Sequence, residues 1–265
     1  KLVSIFIGEA ELVELIRGEF RLCPLRQDVK LNSSKGPLMQ GMMMERIRVS
    51  YGERLHKSEL KPYSQYLYLR KPDNPIWVLN TLTQETSEEV WHIADLKNLS
   101  NFRLTHNDLE MQVVERKFTN LSEDDLLEQT FFRDCPRVVQ IQFVTPTSFK
   151  TGGEYLNYPT VRHVFQSLLN KFNAASSSSK LDTEAISKDI VQNVAVIKYR
   201  LQSTQFGLEN VRIPSFIGSL TFKISGPQQI ANLIHMLLCF GTYSGVGIKT
   251  AMGMGGFKIV ERIDV

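Results

Sequence analysis

An α+β fold in two similar halves is predicted by the chain length, the periodicity of the apolar residues and the order in which the periods change. The 265 residues are 42% hydrophobic and 22% charged, enough for one large domain or two of ordinary size. This composition excludes a disordered chain, a collagen and a small disulfide-stapled protein. The C-terminal half reads strand, helix, strand, strand, helix, strand, which is the split βαβ or ferredoxin-like order. The N-terminal half gives the same order less cleanly, so we predict two tandem ferredoxin-like (RRM-like) domains at 1–134 and 137–265.

The elements of the C-terminal half follow from the spacing of its apolar residues. Val139, Ile141 and Phe143 alternate with glutamines, which indicates a strand with one buried face. Apolar residues then recur at helical spacing, after a Pro159 that fits a first helical turn. The predicted elements are a strand at 139–143, a polar loop at 145–156, a helix at 159–172, strands at 197–201 and 220–224 joined across 206–214, a helix from 227 that Gly241 closes in a left-handed cap, and a strand at 257–261.

The N-terminal half is weaker in pattern. Its predicted elements are a strand at 20–22, a helix at 38–47, strands at 63–70 and 76–82 turned at 72–75, a helix centred on 90–94 and a strand region at 101–117. Cys135-Pro136 interrupts the pattern, which predicts the join between the halves near 131–137.

Charge is divided unevenly between the halves. The net charge is +3, but residues 1–139 hold 19 basic and 21 acidic side chains, whereas residues 140–265 hold 12 and 7. A basic C-terminal half suggests an anionic partner. Three widely spaced cysteines favour a reduced, intracellular chain, and no apolar run approaches the length of a membrane span. We therefore predict a soluble, cytoplasmic protein.

A glycine-rich segment at 241–256 carries the strongest chemical signal. It holds six glycines and Lys249, which predicts unshielded backbone amides that a phosphate chain can approach. A P-loop is excluded because Ile248 rather than glycine precedes Lys249, and because the segment runs from a helix to a strand. The dinucleotide-binding motif fails on spacing and direction. A flexible connection stays open as an alternative, but so many glycines favour contact with a phosphate backbone.

His56 is the candidate proton-transfer residue. It lies in a polar stretch close to Arg54, Lys57 and Lys61, and neighbouring cations disfavour the imidazolium. The alternative is an ordinary surface histidine. None of the other histidines pairs with a His or Cys at metal-ligand spacing, so the sequence predicts no metal site.

Basic residues near aromatic ones predict an RNA track over exposed sheet and loop surfaces. The alternative is that the strand residues among them are only the solvent face of alternating strands. The aromatic tracts of a standard RNA-recognition motif are not visible. The candidate RNA-binding residues are Lys150, Lys198, Arg200, Arg212, Gly245, Gly247, Lys249, Thr250 and Lys258.

The glycine-rich segment, extended to 240–257, resembles the signature of the CRISPR-associated endoribonucleases that process precursor CRISPR RNA (the Cas six family). The resemblance covers roughly residues 11–263 and extends to members that serve type III (Csm-type) systems. Supporting matches lie at 145–150, 158–159, 165–168, 213–218, 40–41, 55–56 and 61–63.

The resemblance implies metal-independent cleavage without a cofactor, in which a ribose 2′-hydroxyl attacks the adjacent phosphate and leaves a 2′,3′-cyclic phosphate and a 5′-hydroxyl. His56 matches the family's catalytic histidine, as general acid or base, and Lys61 matches a lysine that stabilises the phosphate charge. Some members carry a tyrosine where this chain has methionines at 42–44. Either that tyrosine is dispensable, or Tyr51 or Tyr63 substitutes for it. The implied partners are precursor CRISPR RNA and, transiently, the CRISPR interference complex; a membrane is not among them.

Two other classes stay open. A non-catalytic guide-RNA-binding structural protein of the same double-ferredoxin build would share the glycine-rich loop without depending on His56. A nucleotide-dependent enzyme is disfavoured by the direction and spacing of the loop.

Overall fold

The structure is a computed structural model that describes residues 14–26, 31–69, 75–104, 109–176, 180–208 and 211–260. Its strands are β1 (Glu14–Pro24), β2 (Tyr63–Leu69), β3 (Pro75–Thr81), β4 (Asn101–Leu104), β5 (Leu109–Ser122), β6 (Val138–Thr147), β7 (Phe149–Thr151), β8 (Glu154–Leu156), β9 (Val194–Leu208), β10 (Val211–Ile224) and β11 (Phe257–Val260). Its helices are α1 (Gly36–Met44), α2 (Val49–Lys57), α3 (Gln84–Ser87), α4 (Glu123–Leu126), α5 (Val161–Ala175), α6 (Thr183–Asn193) and α7 (Gln228–Ser244). None of the described helices is both long and apolar enough to cross a membrane.

The strands of the N-terminal half form one antiparallel sheet in the order β2-β3-β1-β5-β4. Without the added edge strand β4, this is the strand order of a ferredoxin-like unit in which β5 is the fourth strand. The core beneath the sheet is rich in aromatic rings. The ring of Phe20 lies 5.1 Å from that of Trp77 and 6.4 Å from that of Trp91.

The C-terminal half forms a second antiparallel sheet in the order β11-β6-β10-β9, which is the same arrangement. Val139, Ile141 and Phe143 are buried as the alternation predicts. The predicted fold class, α+β with two tandem ferredoxin-like units, is therefore confirmed. Division of the chain at 134 and 137 stays a prediction.

The N-terminal half differs from the prediction in three places. The polar stretch after α1 contains a second helix, α2, whose buried face carries Tyr51 and Leu55. The predicted helix at 90–94 is a π-helical continuation of α3 through Ile93, and the predicted strand region is the β4–β5 hairpin. The predicted strand end at residue 70 and the turn at 71–74 lie outside the described residues.

The C-terminal half contains more regular structure than predicted. β6 extends to Thr147, and the remainder of the predicted polar loop forms the β7–β8 hairpin. Pro159 lies outside α5, which begins after its N-cap Thr160, whose hydroxyl accepts a hydrogen bond from the His163 amide. Helix α6 was missed because its apolar face is short. Glu261, predicted in the last strand, lies outside the described residues.

β9 is more exposed than a half-buried strand. Ile197 and Tyr199 are 52% and 63% exposed, because β9 lies at the edge of its sheet and has a neighbour on one side only. The pairing of β9 with β10 also continues through the predicted connection at 206–214. Phe206 and Ile213 on this extension pack against Met254 of the glycine-rich segment, so the hairpin covers the loop.

α7 continues past the end predicted at Gly241. A Cβ at this position would lie 2.6 Å from the Leu168 side chain and 2.7 Å from that of Phe257, so packing rather than a left-handed cap requires the glycine. The helix ends at Ser244, and Gly245 is its C-cap with a φ of 65°.

The C-terminal end of α7 joins the two halves. Arg17 of β1 donates a hydrogen bond to the Thr242 carbonyl, and Ser64 of β2 donates one to the Tyr243 carbonyl. The Arg17 guanidinium also lies 4.4 Å from the centre of the Tyr243 ring. The last carbonyls of a helix lack intrahelical donors and carry its negative dipole end, so these two side chains stabilise α7 against the N-terminal sheet.

Candidate active site

His56 lies exposed in the last turn of α2. The helix forms because Tyr51 and Leu55, one turn apart, are buried in the N-terminal core while its charged residues face solvent. At its start, the fully buried carboxylate of Glu89 accepts hydrogen bonds from the Arg48 amide at 3.3 Å and the Arg48 Nε at 2.6 Å. His56 is therefore presented to solvent by an anchored helix.

Lys61 stabilises the other end of α2. Its ammonium donates hydrogen bonds to the carbonyls of Leu55 and Ser58, which flank His56. Among the described residues these are its two acceptors, so one of the three N–H donors of the ammonium is left for a ligand. Burial, and then the positive charge of Lys249, lowers the pKa of Lys61. Because Lys249 belongs to the C-terminal half, its charge acts on Lys61 across the junction of the two halves.

Tyr51 and Tyr63 are core residues, only 3% and 1% exposed. The Tyr51 hydroxyl shares a 2.7 Å hydrogen bond with the Thr86 hydroxyl, and the Tyr63 hydroxyl accepts one of 2.9 Å from Gln40 Nε2. Burial raises the pKa of Tyr51 and raises that of Tyr63 to about 12. Both hydroxyls are hydrogen-bonded in the interior, which favours the alternative in which the family's tyrosine is dispensable over the one in which Tyr51 or Tyr63 substitutes for it.

The glycine-rich segment is closed inward. Eight of its backbone amides donate hydrogen bonds within the protein: Gly245, Val246, Gly247, Ile248, Met252, Met254, Gly255 and Gly256. The expectation of unshielded amides is therefore wrong for these residues. At Gly247, with a φ of 79°, a Cβ would lie 2.3 Å from the Ser148 carbonyl oxygen, so this glycine allows close packing of the loop. Thr250 is buried as well.

Lys249 is an exposed side chain of this loop in a strained backbone conformation. Its φ is 54°, a left-handed region that costs a non-glycine residue about 1–2 kcal/mol. The amides of Met252 and Met254 both donate to the Lys249 carbonyl and hold this conformation. Lys249 therefore occupies a backbone position that suits glycine.

Lys198, Arg200 and Lys258 lie on the face of the C-terminal sheet opposite its core, and we call these three residues the basic sheet face. Arg200, Ser219, Gln142 and Lys258 stand directly opposite one another across four strands, and directly opposed residues share a face. A groove of about 670 Å³ separates this face from β2 of the N-terminal sheet. Arg200 and Lys258 line it, so the basic sheet face borders a space between the halves.

Lys150 and Arg212 are exposed elsewhere. Lys150 lies on β7 with its Nζ 5.6 Å from the centre of the Tyr155 ring, and Arg212 lies on the extended hairpin that covers the loop. The predicted RNA-binding residues therefore lie on several elements: Lys249 on the glycine-rich loop, the basic sheet face on β9 and β11, Lys150 on β7 and Arg212 on β10.

The described part of the chain contains no group of three or more His, Cys, Asp or Glu side chains arranged to hold a metal ion. Of the remaining histidines, His92 is exposed, His163 shares hydrogen bonds with two threonine hydroxyls, and His235 contacts the Pro136 carbonyl. His106 lies outside the described residues.

Lys171 of α5 is a buried lysine that the sequence patterns did not single out. It is 7% exposed, and its Nζ donates hydrogen bonds to the carbonyls of Ser244 and Gly245, at 3.2 and 3.3 Å, and to the Thr250 hydroxyl, at 2.9 Å. Burial lowers the pKa of Lys171 to about 7. The signal was present in the sequence, because Lys171 falls three residues after Leu168 on the apolar face of α5.

The buried Lys171 predicts that stability rises with pH. The unfolded chain keeps this proton up to its ordinary pKa of 10.5, whereas the folded chain releases it near 7. Between these values the unfolded state binds more protons, so the free energy of unfolding increases with pH by up to about 1.4 kcal/mol per unit. Urea unfolding from pH 7 to 9 measures this slope, and Lys171→Met removes it. Equal slopes in both proteins would contradict a buried, neutralised lysine.

The comparisons with known proteins agree on one family. The family model for "CRISPR-associated endoribonuclease Cas6" matches residues 141–257. The CRISPR-associated endoribonuclease Cas6 of Streptococcus thermophilus is 34% identical over 226 residues, which cover 84% of this chain and 90% of that protein. The protein of the same name from Mycobacterium tuberculosis strain H37Rv is 34% identical over 224 residues, covering 84% of this chain and 71% of that one.

Solved structures share the fold. A Cas6 of Thermus thermophilus in a product complex superposes with a TM-score of 0.75 at 21% identity, covering 95% of this chain and all of that one. A Cas6-related protein from Pyrococcus furiosus gives a TM-score of 0.59 at 16% identity, over 94% and 99% of the two chains. The fold and the loop at the junction define a double ferredoxin-like protein of the kind seen in these structures. The chain belongs to the CRISPR-associated endoribonuclease Cas6 family.

Proposed function

We propose that this protein cuts precursor CRISPR RNA within its repeats, without a metal ion, to release guide RNAs. The 2′-hydroxyl upstream of the cut loses its proton and bonds to the adjacent phosphorus, the bond from phosphorus to the 5′-oxygen breaks, and that oxygen takes a proton. The products are a 2′,3′-cyclic phosphate and a 5′-hydroxyl. The guide RNA then passes to a CRISPR interference complex in the cytoplasm.

The observation that carries the proposal is that His56 lies exposed between the two carbonyls that Lys61 holds, and that the charge of Lys249 in the other half lowers the pKa of Lys61. The reaction needs proton transfer at two oxygens and stabilisation of the negative charge on the five-coordinate phosphorus. His56 is exposed on an anchored helix and serves as the general acid or base. Lys61 has one N–H donor that no described residue accepts, and the charge of Lys249 lowers the pKa of Lys61. Two ammonium groups whose charges act on each other favour the binding of a phosphate near both.

The basic sheet face supplies a second contact in this proposal. Lys198, Arg200 and Lys258 lie away from the core of their sheet, and Arg200 and Lys258 line the groove. Cations along a groove attract the RNA backbone without reading its sequence. Lys150 and Arg212 extend the positive surface beside the loop.

The test is incubation of the protein with repeat RNA in the presence of a chelator. We expect cutting to continue in chelator and to stop in a substrate with a 2′-deoxyribose at the scissile position, because that substrate lacks the nucleophile. The new ends are identified by their resistance to phosphatase until the cyclic phosphate is opened by acid. Loss of cutting in chelator, or cutting of the deoxy substrate, would refute the mechanism. Binding without any cutting would favour the guide-RNA-binding structural protein instead.

Lys249→Gly separates the function of the side chain from the strain of its backbone. We expect the affinity for repeat RNA to fall about tenfold and the slope of log affinity against log salt to fall by about 0.7–0.9, because one phosphate contact is lost. The free energy of unfolding should change by less than about 1 kcal/mol, since glycine relieves the positive φ while adding freedom to the unfolded chain. Binding titrations at several salt concentrations and urea unfolding measure both quantities.

The matched control for Lys249→Gly is Lys188→Ala, which removes an exposed lysine paired with Glu184 on α6. This control should leave the RNA affinity unchanged. An affinity of Lys249→Gly equal to that of the wild type at every salt concentration would remove Lys249 from the binding surface.

A further inference from the structure

Lys171 holds the two ends of the glycine-rich loop together. It contacts the carbonyls of Ser244 and Gly245 where the loop leaves α7, and the Thr250 hydroxyl where the loop turns back. In its ammonium form, below the pKa of about 7, Lys171 has three N–H donors for these three acceptors, and its neutral form keeps two of them. A buried lysine is rare, because taking its charge out of water is costly. A lysine where the two ends of this loop meet therefore requires a reason other than packing.

Ser167 supports the loop from the same face of α5. It lies one helical turn before Lys171, so the two side chains are neighbours on the helix. Its hydroxyl oxygen accepts a 2.8 Å hydrogen bond from the Gly247 amide. α5 therefore contacts the two ends of the loop through Lys171 and the Gly247 amide between them through Ser167.

Lys249 lies between these two attachment points. Gly247 precedes it by two residues and Thr250 follows it directly, and both are bonded to α5. Its own carbonyl is held by two amides from the next turn. The direction of the exposed Lys249 side chain is consequently set by a loop whose two flanks α5 fixes.

We propose that Lys171, assisted by Ser167, is a positioning residue that holds Lys249 in the orientation in which it binds RNA phosphate. This inference rests on the proposed function, since it assigns a role in the same RNA contact. Without the lysine, the Ser244 carbonyl and the Thr250 hydroxyl lose the donor that Lys171 supplies, while the Gly245 carbonyl keeps only the Ser244 hydroxyl, and the loop rearranges to satisfy the buried acceptors. Lys249 then keeps its charge but loses the orientation that the loop gives it.

A double-mutant cycle on the full chain tests the proposal. The affinity for a repeat RNA carrying a 2′-deoxyribose at the scissile position is measured for the wild type, Lys171→Met, Lys249→Ala and the double variant. Because Lys171 acts through Lys249, we expect each single change to weaken binding about five- to tenfold. The double variant should bind as Lys249→Ala does. A purely structural role for Lys171 predicts a weakening of the same factor in both backgrounds, which would overturn the proposal, as would a Lys171→Met affinity equal to that of the wild type.

If Lys171→Met does not fold, Ser167→Ala replaces it in the double-mutant cycle with Lys249→Ala. Ser167→Ala removes one hydrogen bond and no buried charge. It should weaken binding less, and again only when Lys249 is present; an equal effect in the Lys249→Ala background would count against positioning. Lys188→Met is the control for loss of a lysine and should bind as the wild type. Failure of the wild type to bind or cut repeat RNA would refute the proposed function, whereas additive effects in a wild type that binds and cuts would refute only this inference.

Discussion

His56→Ala is expected to slow the cutting of repeat RNA by about 10²- to 10⁴-fold, the range that loss of a general acid or base produces. The affinity for the RNA should be retained, because His56 is exposed and α2 is anchored by Tyr51, Leu55 and the Glu89 contact rather than by the imidazole. Single-turnover cleavage of labelled repeat RNA measures the rate. Binding to the 2′-deoxy substrate measures the affinity without interference from cutting.

His92→Ala is the matched control for this prediction. His92 is also exposed in the last turn of a helical segment of the N-terminal half, but it does not adjoin Lys61. It should cut as fast as the wild type. Cutting by His56→Ala at the wild-type rate would show that another group transfers the proton, and an equal loss in both variants would point to a general effect on the fold.

Gly36→Ala is expected to lower the free energy of unfolding by about 2–3 kcal/mol through overpacking. Gly36 begins α1, and a Cβ there would lie 2.3 Å from the Met252 carbonyl oxygen and 2.9 Å from the Gly253 Cα. The backbone of α1 thus touches the backbone of the glycine-rich loop, and neither can yield by rotating a side chain. Urea unfolding measures the loss, and RNA affinity should fall with it because the loop carrying Lys249 is displaced.

Gly41→Ala supplies the matched control within the same helix. A Cβ at Gly41 meets no atom within 4 Å, so alanine should raise the free energy of unfolding by about 0.5–1 kcal/mol through helix propensity. The two substitutions are chemically identical and differ only in what lies opposite. Equal stability changes in the two variants would refute the close approach of α1 to the loop.

Unusual residue types in the sequence identified the glycine-rich loop and the stretch that carries His56. The six glycines around Lys249 identified the loop, and the polar, cation-rich stretch around His56 identified a candidate proton-transfer residue. The role of Lys61 came only from the family resemblance. The prediction that the glycines leave backbone amides unshielded was partly wrong. The glycines allow close packing, and most of the loop amides donate hydrogen bonds within the protein. The spacing of residues in a sequence does not distinguish a glycine that exposes its amide from a glycine that allows another backbone segment to pack closely against it.

Tertiary contacts decided the states of the individual side chains. Tyr51 and Tyr63 resembled candidate catalytic groups until their hydroxyls were found bonded to Thr86 and Gln40 in the interior. Ile197 and Tyr199 alternate like buried strand residues but are exposed because β9 is an edge strand. In each case the sequence carries the local pattern, and the outcome depends on neighbours distant along the chain.

Alternation and helical spacing are local properties, and they alone determined the ferredoxin-like order of elements in the C-terminal half and, more weakly, in the N-terminal half. The effect of the Lys249 charge on Lys61 depends on the docking of the halves through the end of α7, where Arg17, Ser64 and Lys171 donate hydrogen bonds to the last carbonyls of the helix. These contacts join residues 73 to 225 positions apart. Only the folded chain brings these residues together. The donor and the acceptor of each hydrogen bond lie on separate segments, and the local pattern of one segment carries no information about the other.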